Sequence, residues 1–209
     1  MINEKSEIET KIQKSFNKII GIDESGCSNF VGPVVVAAVV LPDTIPCPVN
    51  DCKQLTDNQL QKIYQTLRAT VECHYEIVPA SECDKELMKS EYNHIKKLCH
   101  KLNPEVVLID YHSIPDKFHY LQYGVEKGDQ ICWSIAAASV VAKYIHDDYM
   151  KRLSTKYPEF NLVSNRGSMG QQLFNLTLEH GLTPEHRKNW VYSMAKKRGI
   201  DISTFKSYK

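Results

Sequence analysis

Residues 19–41 read Ile-Ile-Gly-Ile-Asp-Glu-Ser-Gly-Cys-Ser-Asn-Phe-Val-Gly-Pro-Val-Val-Val-Ala-Ala-Val-Val-Leu. Two apolar, β-branched runs, Ile19 to Ile22 and Val34 to Leu41, flank a polar loop holding Gly26, Gly32 and Pro33. Runs of this length with this punctuation predict two adjacent buried strands. Asp23 and Glu24 do not suit a plain hairpin, because they follow the first strand where the chain is still close to its core. Two neighbouring carboxylates there repel one another and resist desolvation unless a cation neutralises them. On these residues alone two readings stay open. Either the acids hold a divalent cation such as Mg²⁺, or they sit in a solvated turn.

The same pattern returns further along. Pro104 ends a helical stretch and is followed by Val106-Val107-Leu108-Ile109-Asp110, a nearly continuous apolar run closed by an acid. It predicts a buried parallel strand. Ligands of open α/β sheets gather at the carboxyl ends of strands, so Asp23 and Asp110 are expected to converge on one site. Gly128-Asp129 then precedes a long helical segment, Gln130 to about Lys156, whose Ala136-Ala137-Ala138-Ser139 stretch lets it lie close to the sheet. The i, i+4 series Ile135, Ser139, Lys143, Asp147 shares one face. Asp148 points about 100° away. The competing reading makes Lys143 and Asp147 an ordinary surface pair.

Residues 1–18, with Ile8, Ile12 and Phe16 at helical spacing, predict a short amphipathic packing helix. Thr56-Asp57-Asn58-Gln59 fits a capping box and opens a helix. Lys53 lies just ahead of it, either projecting a cation into a cleft or solvated. Residues 70–78 alternate as a strand, and another helix begins at Ser81. His94 and His100 on that helix lack a spaced metal-ligating partner and read as surface residues.

The 209 residues suffice for one sizeable α/β domain, or a core domain with a small appendage. A net charge of +1 gives no global attraction to nucleic acid or membrane, so any polyanion contact must be local. Seven cysteines, odd in number and never spaced Cys-x-x-Cys, suggest neither zinc site nor disulfide framework. Reduced thiols and a cytoplasmic location are expected. No apolar run reaches the ~18 residues of a membrane span. Glu4, Glu7 and Glu9 precede any apolar stretch, so no secretory signal is expected.

Seven motifs, taken together, carry a family resemblance. They are Gly-Ile-Asp-Glu-Ser-Gly (21–26), Val-Gly-Pro-Val-Val-Val-Ala-Ala (31–38), Asp-Cys-Lys-Gln-Leu (51–55), Val-Leu-Ile-Asp (107–110), Gly-Asp (128–129), Ser-Ile-Ala-Ala-Ala-Ser-Val-Val-Ala-Lys-x-x-x-Asp (134–147) and Gly-Leu-Thr-Pro-Glu-His-Arg (181–187). In this order the chain resembles ribonuclease H of type 2, or its type 3 sister, over roughly residues 19 to 190. The long N-terminal domain usual in type 3 has no room before residue 19. The resemblance implies a ribonuclease-H-like mixed α/β sheet flanked by helices, with a helical C-terminal region. Residues 1–18 would be an extension, 19–155 the catalytic core, and 156–209 a helical region with a basic tail.

The resemblance further implies that Asp23, Glu24, Asp110 and Asp147 bind metal, with Asp148 the rival for the last position. They would hold two Mg²⁺ or Mn²⁺ ions about 4 Å apart, one activating water and one stabilising the leaving 3′-oxygen. The RNA strand of an RNA/DNA hybrid would be cut to 3′-hydroxyl and 5′-phosphate ends. The partner implied is the hybrid, with no membrane and no obligate protein partner. Lys53 and Lys143 would touch phosphate. His186 and Arg187 would either add phosphate contacts or close the C-terminal region. The tail cations Lys196, Lys197, Arg198, Lys206 and Lys209 are either solvated or contact nucleic acid.

Two departures bear on the substrate. Where the type 2 family carries Gly-Arg-Gly, this chain has Gly26-Cys27-Ser28. Where the family carries a tyrosine in Lys-Gly-Tyr-Gly-Thr, this chain has Ser168 in Arg166-Gly167-Ser168-Met169-Gly170, and a family histidine further on is Leu173. Backbone N–H groups of residues 26–28 would still hold the 2′-hydroxyl, the group that distinguishes RNA from DNA. The loss of a stacking aromatic predicts a preference for runs of ribonucleotides over single embedded ones. A non-catalytic hybrid-binding protein on the same fold is the alternative.

Overall fold

β1 (Ile19–Ser25) and β2 (Val34–Val40) pair antiparallel, Ile20 opposite Val40 through to Ser25 opposite Val35, as the two apolar runs predict. The computed structural model describes residues 1–49, 52, 55–111, 113–114 and 118–208. β3 (Cys73–Val78), β4 (Val106–Asp110) and β5 (Leu121–Val125) complete a five-stranded mixed sheet in the order β3-β2-β1-β4-β5. β4 lies parallel to both β1 and β5. β5 has no strong apolar signature, being half exposed along its length.

The chain divides into two compact units of interleaved segments. The first comprises Met1–Ser25, Val35–Glu76 and Tyr92–Tyr144, and the second Gly26–Val34, Ile77–Glu91 and Ile145–Lys209.

In the first unit, α1 (Glu7–Gln13) is capped by Ser6 through a reciprocal Ser6–Glu9 box. α2 (Asp57–Thr70) starts at the Thr56–Gln59 box as expected. α3 (Ala80–Leu102) is divided between the units at Glu91 and bends at Glu86, in its second-unit part, where φ −149° and ψ 77° leave the helical region. The long helix of the sequence reading is divided. A single turn, α4 (Gly128–Ile131), ends at an extended Cys132, and α5 (Trp133–Lys156) begins afresh. The cause is Glu9, fully buried and 124 residues away in sequence. Its carboxylate accepts the N–H groups of Trp133 (3.0 Å) and Ser134 (2.8 Å) and the Ser134 hydroxyl (2.7 Å). An anion at a helix N-terminus satisfies orphan donors and complements the helix dipole.

α5 comes against β1 at Gly21, where an added Cβ would sit 2.3 Å from the Ser134 carbonyl carbon. Ile20, Ile22, Val107, Leu108, Ala137 and Val141 are fully buried.

The second unit contains α6 (Leu162–Asn165), α7 (Gln171–His180) and α8 (Lys188–Lys197). Phe30, Met150, Phe160, Leu173, Phe174 and Val191 belong to its core. The C-terminal tail turns back, with Leu182 donating to Lys206 O (2.8 Å) and Tyr208 donating to Leu182 O (3.0 Å). Lys209 lies outside the described residues. All seven cysteines are unbridged thiols. Among the described residues no helix is long and apolar enough to cross a membrane.

Candidate active site

β1 and β4 are parallel neighbours with Ile22 opposite Ile109. Asp23 and Asp110 follow these paired residues directly, so the sheet brings the two acids to one end. Asp23 is 6% exposed, and Glu24 and Asp110 are half-buried. Burial first, then the charge of Glu24, and to a smaller extent that of Asp110, push the Asp23 pKa well above the ordinary carboxylate value. The Ser139 hydroxyl and the Glu24 N–H pull the other way by donating hydrogen bonds to it. Ser139, on α5, is an orienting residue that spacing alone did not assign a role. With its hydroxyl proton directed to Asp23, its oxygen is left to accept from Cys52 Sγ, 3.2 Å away.

Asp110 Oδ1 accepts the Gly128 N–H at 2.7 Å. Gly128 has to be small, because a Cβ there would meet Ile135 Cδ1 at 2.5 Å and Asp110 Oδ1 at 3.3 Å. This explains the glycine of the Gly-Asp pair at 128–129.

The influences that set Asp23 are thus burial, two carboxylates and two neutral donors. Among the described residues, no three His, Cys, Asp or Glu side chains are drawn into a formed coordination group. The donors are hard carboxylate oxygens, and their mutual repulsion is the kind a hard dication such as Mg²⁺ or Mn²⁺ relieves. The residues present fit such an ion.

Asp147 lies in the part of α5 that belongs to the second unit and is buried, whereas Asp148 is exposed and pairs with Arg152 at 3.0 Å. Asp147 is the inward-facing acid of the two. Asn29 Nδ2 donates to Arg166 O (2.8 Å) and lies 2.9 Å from His146 Nε2. That nitrogen therefore accepts, which puts the imidazole proton on Nδ1, 3.3 Å from Asp147 Oδ1. His146 holds one carboxylate oxygen, and Arg166 Nε stands 3.2 Å from the other. Asn29, His146 and Arg166 are functional-site neighbours the sequence did not mark: His146 and Arg166 reach Asp147, and Asn29 reaches His146 and Arg166 O from far along the chain.

Of the expected phosphate contacts, Lys143 is half-buried on α5, and Lys53 lies outside the described residues. Gly26, Cys27 and Ser28 form a partly exposed loop beside Ser168. Asn29 bridges to Ser168, and Met169 donates to Ser28 O at 3.1 Å. The two segments that depart from the family pattern are therefore neighbours. Leu173, where the family has histidine, is a core side chain.

His186 and Arg187, expected either to contact phosphate or to close the C-terminal region, are both buried and bonded within the protein. His186 is buried between the Thr177 and Thr183 hydroxyls (3.0 and 2.9 Å) and accepts the Thr183 N–H. Burial, reinforced by Lys188, lowers its pKa to about 3, so it carries no charge for a phosphate. Arg187 is 0% exposed and spends its donors on backbone carbonyls.

A family model described as Ribonuclease HII matches residues 20–196. The chain belongs to the ribonuclease HII family. That family consists of metal-dependent endoribonucleases. Ribonuclease HII of Geobacillus kaustophilus (strain HTA426) is 34% identical over 179 residues, spanning 83% of this chain and 68% of the relative. The ribonuclease H2 crystal structure from Pyrococcus horikoshii OT3 superposes with a TM-score of 0.71 at 22% identity, over 87% of this chain and 98% of the other. Bst-RNase HIII, crystallised in complex with Mn²⁺, gives 0.59 at 21% identity, over 90% and 65%. The ribonuclease-H-like fold expected from the sequence is shared with both structures.

Proposed function

We propose that this ribonuclease HII family member hydrolyses the RNA strand of RNA/DNA hybrids, using Asp23, Glu24, Asp110 and Asp147 to hold two divalent cations, Mg²⁺ or Mn²⁺. The observation that carries the reading is Asp23, buried beside two further carboxylates and pushed toward its protonated form. Such a cluster is costly unless a cation joins it. When bound, divalent cations supply Lewis-acid activation of water and charge stabilisation at the scissile phosphate. The chain's own residues do the rest. Ser139 and the Glu24 N–H fix the Asp23 carboxylate, Gly128 fixes Asp110, and His146 fixes Asp147. Orienting partners of this kind preserve ligand geometry.

The backbone of Gly26–Ser28 holds the 2′-hydroxyl of the cleaved nucleotide, and Lys143 and Lys53 contact phosphate. Products carry 3′-hydroxyl and 5′-phosphate ends. Ser28 and Ser168 are exposed side by side where the family places its arginine loop and tyrosine, which supports a preference for consecutive ribonucleotides.

The test is cleavage mapping with Mg²⁺ or Mn²⁺ on two labelled duplexes, one with an RNA run and one with a single ribonucleotide. Cuts inside the run are expected, with the single ribonucleotide cut at least about tenfold more slowly. An inert wild-type protein that still binds the hybrid would replace this reading with the non-catalytic one. Equal cleavage of both duplexes would remove the substrate preference alone.

A further inference from the structure

Burying a guanidinium is tolerated only when its donors are satisfied. Arg187 meets that condition within a single loop. Its Nη1 donates to Cys27 O (2.8 Å), Nη2 to Gly26 O (2.7 Å) and Gly32 O (3.1 Å), and Nε to Gly32 O (3.2 Å). Its backbone N–H donates to Phe30 O at 2.7 Å. One residue thus ties both shoulders of the loop, at Gly26 (φ 98°) and Gly32 (φ 93°), where the backbone is left-handed and suits glycine. Room for a side chain is also lacking at Gly26, since a Cβ would lie 2.6 Å from Pro33 O and 2.7 Å from His146 Cδ2.

The consequence follows from the planar trans peptide. Within one peptide unit the C=O and the following N–H point in opposite directions. Holding Gly26 O and Cys27 O inward on the guanidinium therefore turns the N–H groups of Cys27 and Ser28 outward. Those are among the backbone donors assigned above to the substrate ribose. We propose that Arg187 is a positioning residue for ribose recognition, fixing the peptide planes of Gly26–Cys27 and Cys27–Ser28 so that their N–H groups face the 2′-hydroxyl. The proposal rests on reading the chain as a hybrid-directed nuclease that senses the 2′-hydroxyl through this loop. It also accounts for the tolerance of Cys27 and Ser28 in place of the family's Arg-Gly, because the recognition is carried by main-chain atoms held from behind.

A purely structural arginine and a positioning one differ in what they do to discrimination. The full chain is titrated by fluorescence anisotropy in EDTA with an RNA/DNA hybrid and with a DNA duplex of the same sequence, and the ratio of the two Kd values is taken. This ratio is independent of the fraction of protein that is folded. Arg187→Lys keeps the charge but not the three-carbonyl geometry. It is expected to lower the preference for hybrid by roughly three- to tenfold, the range of one hydrogen bond, with DNA-duplex affinity unchanged.

Ser28→Pro deletes one of the N–H groups outright on an exposed loop, and keeps the test decisive if the arginine variant does not fold. It should lower the ratio, whereas Ser28→Ala should not. Combining Arg187→Lys with Ser28→Pro should lower the ratio by less than the product of the separate effects. A wild-type protein that prefers and cleaves hybrid, with a ratio unmoved by both Arg187→Lys and Ser28→Pro, overturns this proposal alone. A wild-type protein that neither prefers nor cleaves hybrid overturns the functional reading and this proposal with it.

Discussion

Asp23 in the first unit and Arg187 in the second are both charged and both buried, and their surroundings treat them in opposite ways. Burial pulls the Arg187 pKa below its ordinary value, but three backbone carbonyls turn onto the guanidinium and accept its N–H groups. Asp23 has Glu24 and Asp110 beside it, and the hydrogen bonds from Ser139 and the Glu24 N–H fall short of offsetting burial and repulsion. Burial opposes both charges, but the neighbours of Arg187 offer acceptors whereas those of Asp23 add like charge. The first charge holds a loop, and the second is the one that the proposed function pairs with a cation.

The comparison can be broken most sharply by neutralising the acid. Asp23→Asn should reduce hybrid hydrolysis by about a thousandfold or more, the scale of several kcal/mol of lost charge stabilisation. The same variant should melt at a higher temperature than wild type in metal-free buffer. A variant that is both inactive and less stable would mean that Asp23 was already satisfied. Arg187→Met is the counterpart and should act with the opposite sign on stability. Three inward carbonyls lose their donors, for a loss of about 3–5 kcal/mol in urea unfolding. A loss below about 1 kcal/mol would show that water or a shifted loop replaces the guanidinium.

Metal supplies a third, gentler comparison. Near a hundredfold excess over its Kd, Mg²⁺ or Mn²⁺ should stabilise the wild type by about 2.7 kcal/mol. A carboxyl whose native pKa is raised binds its proton more tightly folded than unfolded, so metal-free stability falls as pH rises through the carboxylate range and beyond. The metal-induced rise in Tm should therefore grow with pH in wild type and shrink in Asp23→Asn. Smallest is the effect of Glu9→Gln, where an uncharged amide replaces the anion at the start of α5. Glu9 serves the first unit as Arg187 serves the second, and the cost should be about 1–2 kcal/mol in urea unfolding with hybrid specificity unchanged.

What could be read from the sequence was local. Ile19 to Ile22, Val34 to Leu41 and Val106 to Asp110 declare strands by unbroken apolar runs, and the Thr56–Gln59 box declares the start of α2. The resemblance put Asp147 at the fourth acid position with Asp148 as rival; Asp147 is buried and Asp148 exposed. What could not be read depends on partners far along the chain. Glu9 looks like a solvent-facing helix residue until it meets Trp133 and Ser134, and Arg187 looks like a phosphate ligand until it meets carbonyls 155 to 161 residues earlier. β5 was not assigned because Leu121, Tyr123 and Val125 alternate with Gln122 and Gly124 over only five residues, one of them a glycine that weakens strand propensity. Ser139 was visible on the right face of its helix, but nothing local says that its hydroxyl is aimed at Asp23.

The most direct test is calorimetric titration of Mn²⁺ into the metal-free full chain and into Asp23→Asn. Saturable uptake by the wild type is expected, tighter as pH rises, with loss or strong weakening in the variant. Uptake of equal strength in both proteins, or none in the wild type, would contradict it.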